Sequence, residues 1–363
     1  MNTSHTLPPP VPRAARATAY SPPAPAGPID LHLDANEGPA TWVDIGAIAS
    51  ARPGPAASRY PSARDLERDL ARGLSIDPTR VIVTAGGDEA IDRACRAFLE
   101  PGRELILPSP TFEMIGRYAD AAGATVLRTP WPIGPYPIEE VLRLITPRTA
   151  MIALVSPNNP TGAVATGSDI ARLSRQAPHA LLLVDLAYAE FASEDLTAPA
   201  LSLPNVLVVR TFSKAYGLAG LRVGYAAGPE PIVRVLRAVA GPYPVSGLSL
   251  AVAREALRDA ASQIPARVRC AREERQALFD LLASLGARPN PSDANFVLAR
   301  FDDAARIWQS LASSGISVRR FPPGSGLDDC LRITCPCEPA AFARLSTALR
   351  TNLGSTNTKE PRP

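Results

Sequence analysis

Lys214 is where the chemistry of this chain concentrates. Of the 38 lysines and arginines in 363 residues only two are lysines, and the other, Lys359, lies in a polar C-terminal tail. Arginine stays protonated, whereas a lysine amine can lose its proton and form a Schiff base. The stretch Thr211-Phe-Ser-Lys-Ala-Tyr-Gly-Leu-Ala-Gly-Leu-Arg222 sets the hydroxyls of Thr211 and Ser213 beside that amine. It ends on Arg222, whose guanidinium fork suits a phosphate. Asp185 closes the apolar run 181–184, and a carboxylate buried there needs a partner. Tyr188 follows it. Ala85-Gly-Gly87-Asp88 opens a helical pattern whose free N–H groups could hold a phosphate, although Asp88 could equally cap that helix. Phe112, in a proline-stiffened turn, can stack on a flat ring or belong to the core.

The elements that must carry these groups repeat one pattern from residue 81 onward. Apolar runs at 81–84, 104–107, 125–127, 150–155, 181–184, 206–209 and 223–226 are each followed by a polar or glycine-rich turn and then a helical stretch. Such alternation predicts an α/β doubly wound sheet of mostly parallel strands. In such sheets ligands bind beyond the carboxyl ends of the strands, and the polar clusters lie there. Gly241-Pro-Tyr-Pro-Val-Ser246 reads as the break between two lobes, and 264–285 as a long exposed helix. We expect a large domain at 41–245 and a smaller α+β domain at 246–351, which the segment 30–40 joins. A flexible Pro/Ala-rich arm at 1–29, with Tyr20 docking near its end, and a disordered tail at 352–363 complete the expected organisation.

The totals narrow the function. A net charge of +3 without a Lys/Arg-rich block gives no reason to expect nucleic acid, and no apolar run is long enough to span a bilayer. The five cysteines are scattered, and Cys335-Pro-Cys337 has the wrong spacing for a zinc knuckle. The three histidines are too dispersed for a metal site. We therefore expect free thiols, no metal and a cytoplasmic protein. A dehydrogenase would want G-x-G-x-x-G after the first strand, which Ala85-Gly-Gly-Asp-Glu-Ala does not supply.

The Lys214–Arg222 segment resembles the lysine motif of class I/II (fold type I) pyridoxal-phosphate aminotransferases, in particular the histidinol-phosphate aminotransferase branch. Leu33-Asp-Ala-Asn36-Glu-Gly-Pro39 is similar to the branch's N-terminal signature, and Ser156-Pro-Asn-Asn159-Pro-Thr-Gly162 and Leu331-Arg332-Ile-Thr334 to two further motifs. The resemblance covers roughly residues 30–340. It implies that Lys214 carries pyridoxal 5′-phosphate as a Schiff base, and that Asp185 pairs with the ring nitrogen. Asn159 and Tyr188 then serve the phenolic oxygen, and Phe112 the ring face. Gly87, Asp88, Thr211, Ser213 and Arg222 hold the phosphate, together with Tyr60 reaching in from the other subunit of a homodimer. Asn36 lines the substrate entrance and Arg332 clamps the substrate carboxylate, although its strand also reads as an ordinary charged edge. Arg319 is the candidate for the substrate phosphate, with Arg320 as its competitor and Tyr20 nearby. One departure is Leu186, where many members carry a glutamate.

The chemistry so implied is ping-pong transamination, with histidinol phosphate as amino donor and 2-oxoglutarate as acceptor. An aromatic or other amino-acid aminotransferase of the same branch, or a decarboxylase of a phosphorylated amino acid, are the alternative readings. A non-catalytic regulator on this fold would need an added DNA-binding domain, for which the proline-rich arm is too short.

Overall fold

The computed structural model describes residues 11–15, 18–21, 23, 27–51 and 58–354. β1 (Leu31–Leu33) precedes a run of seven strands: β2 (Val81–Thr84), β3 (Glu104–Ser109), β4 (Thr125–Pro130), β5 (Thr149–Val155), β6 (Leu181–Asp185), β7 (Val206–Thr211) and β8 (Gly224–Ala227). All seven expected runs form strands. They make one sheet in the order β2-β8-β7-β6-β5-β3-β4. Only β8 runs against its neighbours. The continuous apolar runs follow from burial on both faces. Val81, Ile152, Leu154, Leu182, Val184, Val206 and Val208 pack to one side. Ile82, Met151, Ala153, Leu181, Leu183, Leu207 and Val209 pack to the other, the period of two that a strand imposes.

The smaller lobe adds β9 (Arg288–Pro289), β10 (Phe296–Arg300), β11 (Ile316–Arg320) and β12 (Cys330–Thr334), in a sheet ordered β1-β11-β12-β10-β9. The N-terminal strand β1 pairs in parallel with β11, Leu31 against Ile316 and Leu33 against Val318. The segment after β1 leaves this sheet and crosses to the large lobe. The helix expected at 264–285 is the second half of a longer one, Gly247–Ser284, which starts where Ser246 Oγ accepts from Ser249 N at 3.1 Å. Pro265 sits inside it. Its first half packs on the large lobe and its second on β9 and β10, so a single helix braces both lobes.

The ends of the chain hold more regular structure than their composition suggests. A short helix, Pro12–Ala15, lies within the arm, and Arg117 Nη1 donates to Thr18 O at 2.9 Å. The last helix runs on to Gly354 because Asn352 ties it back: its carbonyl accepts from Arg306 Nη1 at 3.2 Å. Residues 1–10, 16–17, 22 and 24–26 of the arm, and 355–363 of the tail, lie outside the described residues. No helix among the described residues is long and apolar enough to cross a membrane.

Candidate active site

Loops leaving the carboxyl ends of β2, β3, β5, β6 and β7 converge with residues 34–37, β11 and β12 around a cavity of about 1090 Å³. Fourteen of the fifteen site residues expected from the sequence line it; Tyr60 does not. Tyr60 is 82% exposed and stacks on Tyr243 with ring centroids 4.5 Å apart. Within one chain it stands outside the site.

One end of the cavity is built to receive a phosphate. Helix Gly86–Phe98 points its first N–H groups, including those of Gly87 and Asp88, at the cavity. The alternative role of Asp88 as cap is overturned. Asp88 is the third residue of the helix and its carboxylate accepts from Arg222 Nη2 at 2.9 Å; it is Glu89 whose Oε2 accepts from the Ala85 N–H, at 2.5 Å. Two glycines let the walls close. A Cβ on Gly224 would lie 2.5 Å from the Gly86 carbonyl carbon and 2.7 Å from Gly87 N. Gly86, at φ +77°, faces Arg222, and a Cβ there would come within 2.5 Å of Nη2. Thr211 and Ser213 complete the cup, joined by a 3.0 Å hydroxyl–hydroxyl bond.

In the middle lies a carboxylate without a countercharge in contact. Asp185 ends β6, 5% exposed, and among the described residues its carboxylate accepts only from Ala187 N, at 3.0 Å. Desolvation pushes its pKa up to about 7. Lys214 Nζ donates to the Ala35 carbonyl at 3.0 Å. Burial, with Arg332 and Arg222 nearby, lowers its pKa to about 8. Phe112 sits at the start of helix Glu113–Ala122, half-buried with one side on the core, so both of its expected roles are compatible.

The far end is cationic. Arg332 is 6% exposed and forms no ion pair among the described residues. Its Nη1 donates to Asn159 Oδ1 at 2.5 Å and its Nη2 to the Asp34 carbonyl at 2.6 Å, while Nε has no partner. Desolvation lowers its pKa to about 10. The choice between Arg319 and Arg320 follows from strand alternation. Arg319 lines the cavity, donates to Tyr20 Oη at 3.2 Å and pairs with Glu113 at 3.3 Å, whereas Arg320 lies over the Trp308 ring.

Asn36 lines the cavity with its side chain turned onto neighbouring residues. It is 1% exposed, at φ +54°, with its amide on Tyr188 and Thr334. Sequence reasoning also missed Glu113 and Thr334. Thr334 shares a strand face with Arg332 two residues earlier, a signal that β-alternation offers; Glu113 follows Phe112 directly, yet nothing in its spacing announces a partner on β11. The donor set fits pyridoxal phosphate: a helix-end cup with guanidinium and hydroxyls, a buried carboxylate, and an amine with lowered pKa. Among the described residues no group of three or more His, Cys, Asp or Glu side chains is placed to hold a metal ion.

This arrangement is that of an aminotransferase. Residues 44–349 match the family model of aminotransferase class I and II, and the chain belongs to that family. Within it, the chain is 38% identical to histidinol-phosphate aminotransferase of Paracoccus denitrificans over 311 residues, 84% of each chain. It is 39% identical to that of Dinoroseobacter shibae over 284 residues, 76% of this chain and 78% of the other. The structure of histidinol-phosphate aminotransferase from Sinorhizobium meliloti in complex with pyridoxal-5′-phosphate matches with a TM-score of 0.87 at 25% identity, covering 97% of this chain and 99% of that one. A Thermus thermophilus aspartate aminotransferase mutant matches at 0.76 and 26% identity, covering 89% and 92%. The fold type I architecture expected from the sequence is the one observed.

Proposed function

We propose that this chain transfers the amino group of histidinol phosphate to 2-oxoglutarate with pyridoxal 5′-phosphate as cofactor, working as a cytoplasmic homodimer with shared active sites. The observation that carries this reading is the pair of anion-binding ends on either side of Lys214: the helix cup with Arg222, and Arg332 with Arg319. The likeness to curated histidinol-phosphate aminotransferases supports the choice of substrate, and five free cysteines suit a reducing compartment.

When bound, pyridoxal phosphate supplies an aldehyde that condenses with amines and a protonated ring that draws electrons from the carbon losing its proton. Gly87, Asp88, Thr211, Ser213 and Arg222 would hold its phosphate, with Tyr60 of the partner subunit. Phe112 would cover its ring, and Asn159 and Tyr188 would serve its phenolic oxygen. Asp185 would hold the proton on the ring nitrogen, a countercharge that would offset the cost of its own burial. Lys214 Nζ, with its lowered pKa, is available as a neutral amine near pH 8, both to condense and to take the proton from the substrate carbon. Arg332 offers two N–H groups to a carboxylate, since its present acceptors are an amide oxygen and a carbonyl. Arg319 and Tyr20 take the phosphate end of the donor, and residues 34–37 shield the centre from water.

The test is to mix the loaded protein with histidinol phosphate in the absence of a keto acid. The visible absorbance should be lost rapidly, and 2-oxoglutarate should restore it. Loss with phenylalanine but not with histidinol phosphate would keep the reaction and overturn the substrate. Sedimentation should give a dimer; an active monomer would defeat the shared site.

A further inference from the structure

The contacts of Asn36 fix more than its own place. The chain of polarity starts at a donor that cannot be reversed, the Asn36 backbone N–H, which donates to Thr334 Oγ1 at 3.1 Å. With its oxygen accepting that bond, the Thr334 hydroxyl spends its proton on Asn36 Oδ1, at 3.2 Å. That identifies the other end of the side chain as the NH2 group, and Nδ2 donates to Tyr188 Oη at 2.9 Å. The opposite orientation would leave the threonine proton without an acceptor. Tyr188 therefore receives a hydrogen bond from behind and keeps its own proton for the cavity it lines. Its ring packs edge-on against Phe296, centroids 5.3 Å apart, and the residue is 3% exposed. Burial pushes the phenol pKa up to about 12, which keeps it protonated at working pH.

We propose that Asn36 is a positioning residue which fixes Tyr188 as a hydrogen-bond donor to the phenolic oxygen of the cofactor. The inference rests on the cofactor reading given above. A bond donated to that oxygen favours its anion, and so lowers the pH at which the visible absorbance of the loaded protein titrates. Without the amide behind it, the tyrosine proton is no longer directed, and the midpoint rises. The left-handed backbone of Asn36 dictates the variant: glycine removes the side chain and tolerates φ +54°, whereas alanine would add strain.

The experiment is a spectroscopic pH titration of the pyridoxal-phosphate-loaded protein, comparing wild type, Asn36→Gly, Tyr188→Phe and the double variant. The midpoint should rise by roughly one pH unit in Asn36→Gly, from the weakening of one charge-assisted hydrogen bond. Asn36→Gly should add nothing further in the Tyr188→Phe background, because both changes act on one bond. Thr334→Val, which interrupts the relay one step earlier, should shift the midpoint in the same direction, and it decides the matter if Asn36→Gly does not fold. An unchanged midpoint in folded Asn36→Gly, or a shift that adds in full to that of Tyr188→Phe, overturns the proposal. A wild-type protein that takes up no cofactor and shows no visible band overturns the cofactor reading itself, and the inference with it.

Discussion

Replacing Asp185 by asparagine should stabilise the cofactor-free protein at pH 8 while crippling the enzyme. The reason lies in the burial of the carboxylate, whose only hydrogen bond among the described residues comes from Ala187 N. Unfolded, an aspartate ionises near pH 3.8; folded, this one keeps its proton to about pH 7. Between those limits the folded chain binds more protons than the unfolded one, so stability falls as pH rises through the window. Above pH 7 the full difference applies, about three pH units or about 4 kcal/mol as an upper bound. Asparagine cannot ionise and does not incur it. In a chain of this length the corresponding rise in melting temperature is on the order of 5 °C at pH 8, shrinking to nothing below about pH 4. The assay is thermal melting of both cofactor-free proteins across that range. Equal melting differences at pH 5 and pH 8 would refute the reasoning, since a steric effect carries no pH dependence. Cofactor should invert the order, because a protonated ring nitrogen is a countercharge for aspartate and not for asparagine.

Three further outcomes follow from the site. Lys214→Arg should lose the visible band with the melting temperature nearly unchanged, and a retained band would place the Schiff base on another amine. In the wild type, the rate of loading with free pyridoxal phosphate should climb with pH and level off above about pH 8, where the Lys214 amine is neutral; a rate still climbing past pH 10 would contradict the lowered pKa. Gly86→Ala should weaken cofactor retention roughly tenfold by equilibrium dialysis, because a Cβ at φ +77° both strains the backbone and displaces Arg222; undiminished affinity would show that Arg222 can move aside freely.

The large lobe was legible in the sequence because its strands are buried on both faces, and burial on both faces leaves uninterrupted apolar runs. The site was legible for a related reason: polar groups directly after such runs have to sit at the strand ends, as Asp185, Asn159 and Lys214 do. What stayed hidden depends on crossings between distant segments. Nothing in residues 34–40 announces that their carbonyls serve three cations of other elements: Asp34 accepts from Arg332, Ala35 from Lys214 and Pro39 from Arg267. The close fit there is visible only in space, where a Cβ on Gly38 would overlap the Lys214 carbonyl oxygen at 1.9 Å. Asn36 was read as lining the substrate entrance because its motif resembles the N-terminal signature of the histidinol-phosphate aminotransferase branch. Its left-handed backbone turns the side chain inward onto Tyr188 instead. The long helix was begun too late because its first turns are uncharged and bury Leu250, Val252 and Ala253 in the large-lobe core, so the charge alternation that marks its exposed part starts only after them.

The cations of the cavity differ in what holds them, and that difference orders their use. Arg222 rests on Asp88 and Arg319 on Glu113, both partly exposed pairs of the kind that contribute little to stability. Among the described residues Lys214 and Arg332 have neutral acceptors only, two backbone carbonyls and the Asn159 amide oxygen. Burial is the main reason both pKa values are lowered, and a nearby cation adds to it, Arg332 for Lys214 and Arg319 for Arg332. A ligand carboxylate arriving at Arg332 breaks no ion pair and meets a guanidinium already desolvated, so its charge counts in full. A phosphate arriving at Arg319 must first displace Glu113, and a dianion does so better than a single carboxylate. On the proposed function the two ends would favour different anions: the keto acid would go to Arg332, which has no ion-pair partner among the described residues, and the phosphorylated donor to Arg319, which would exchange Glu113 for it.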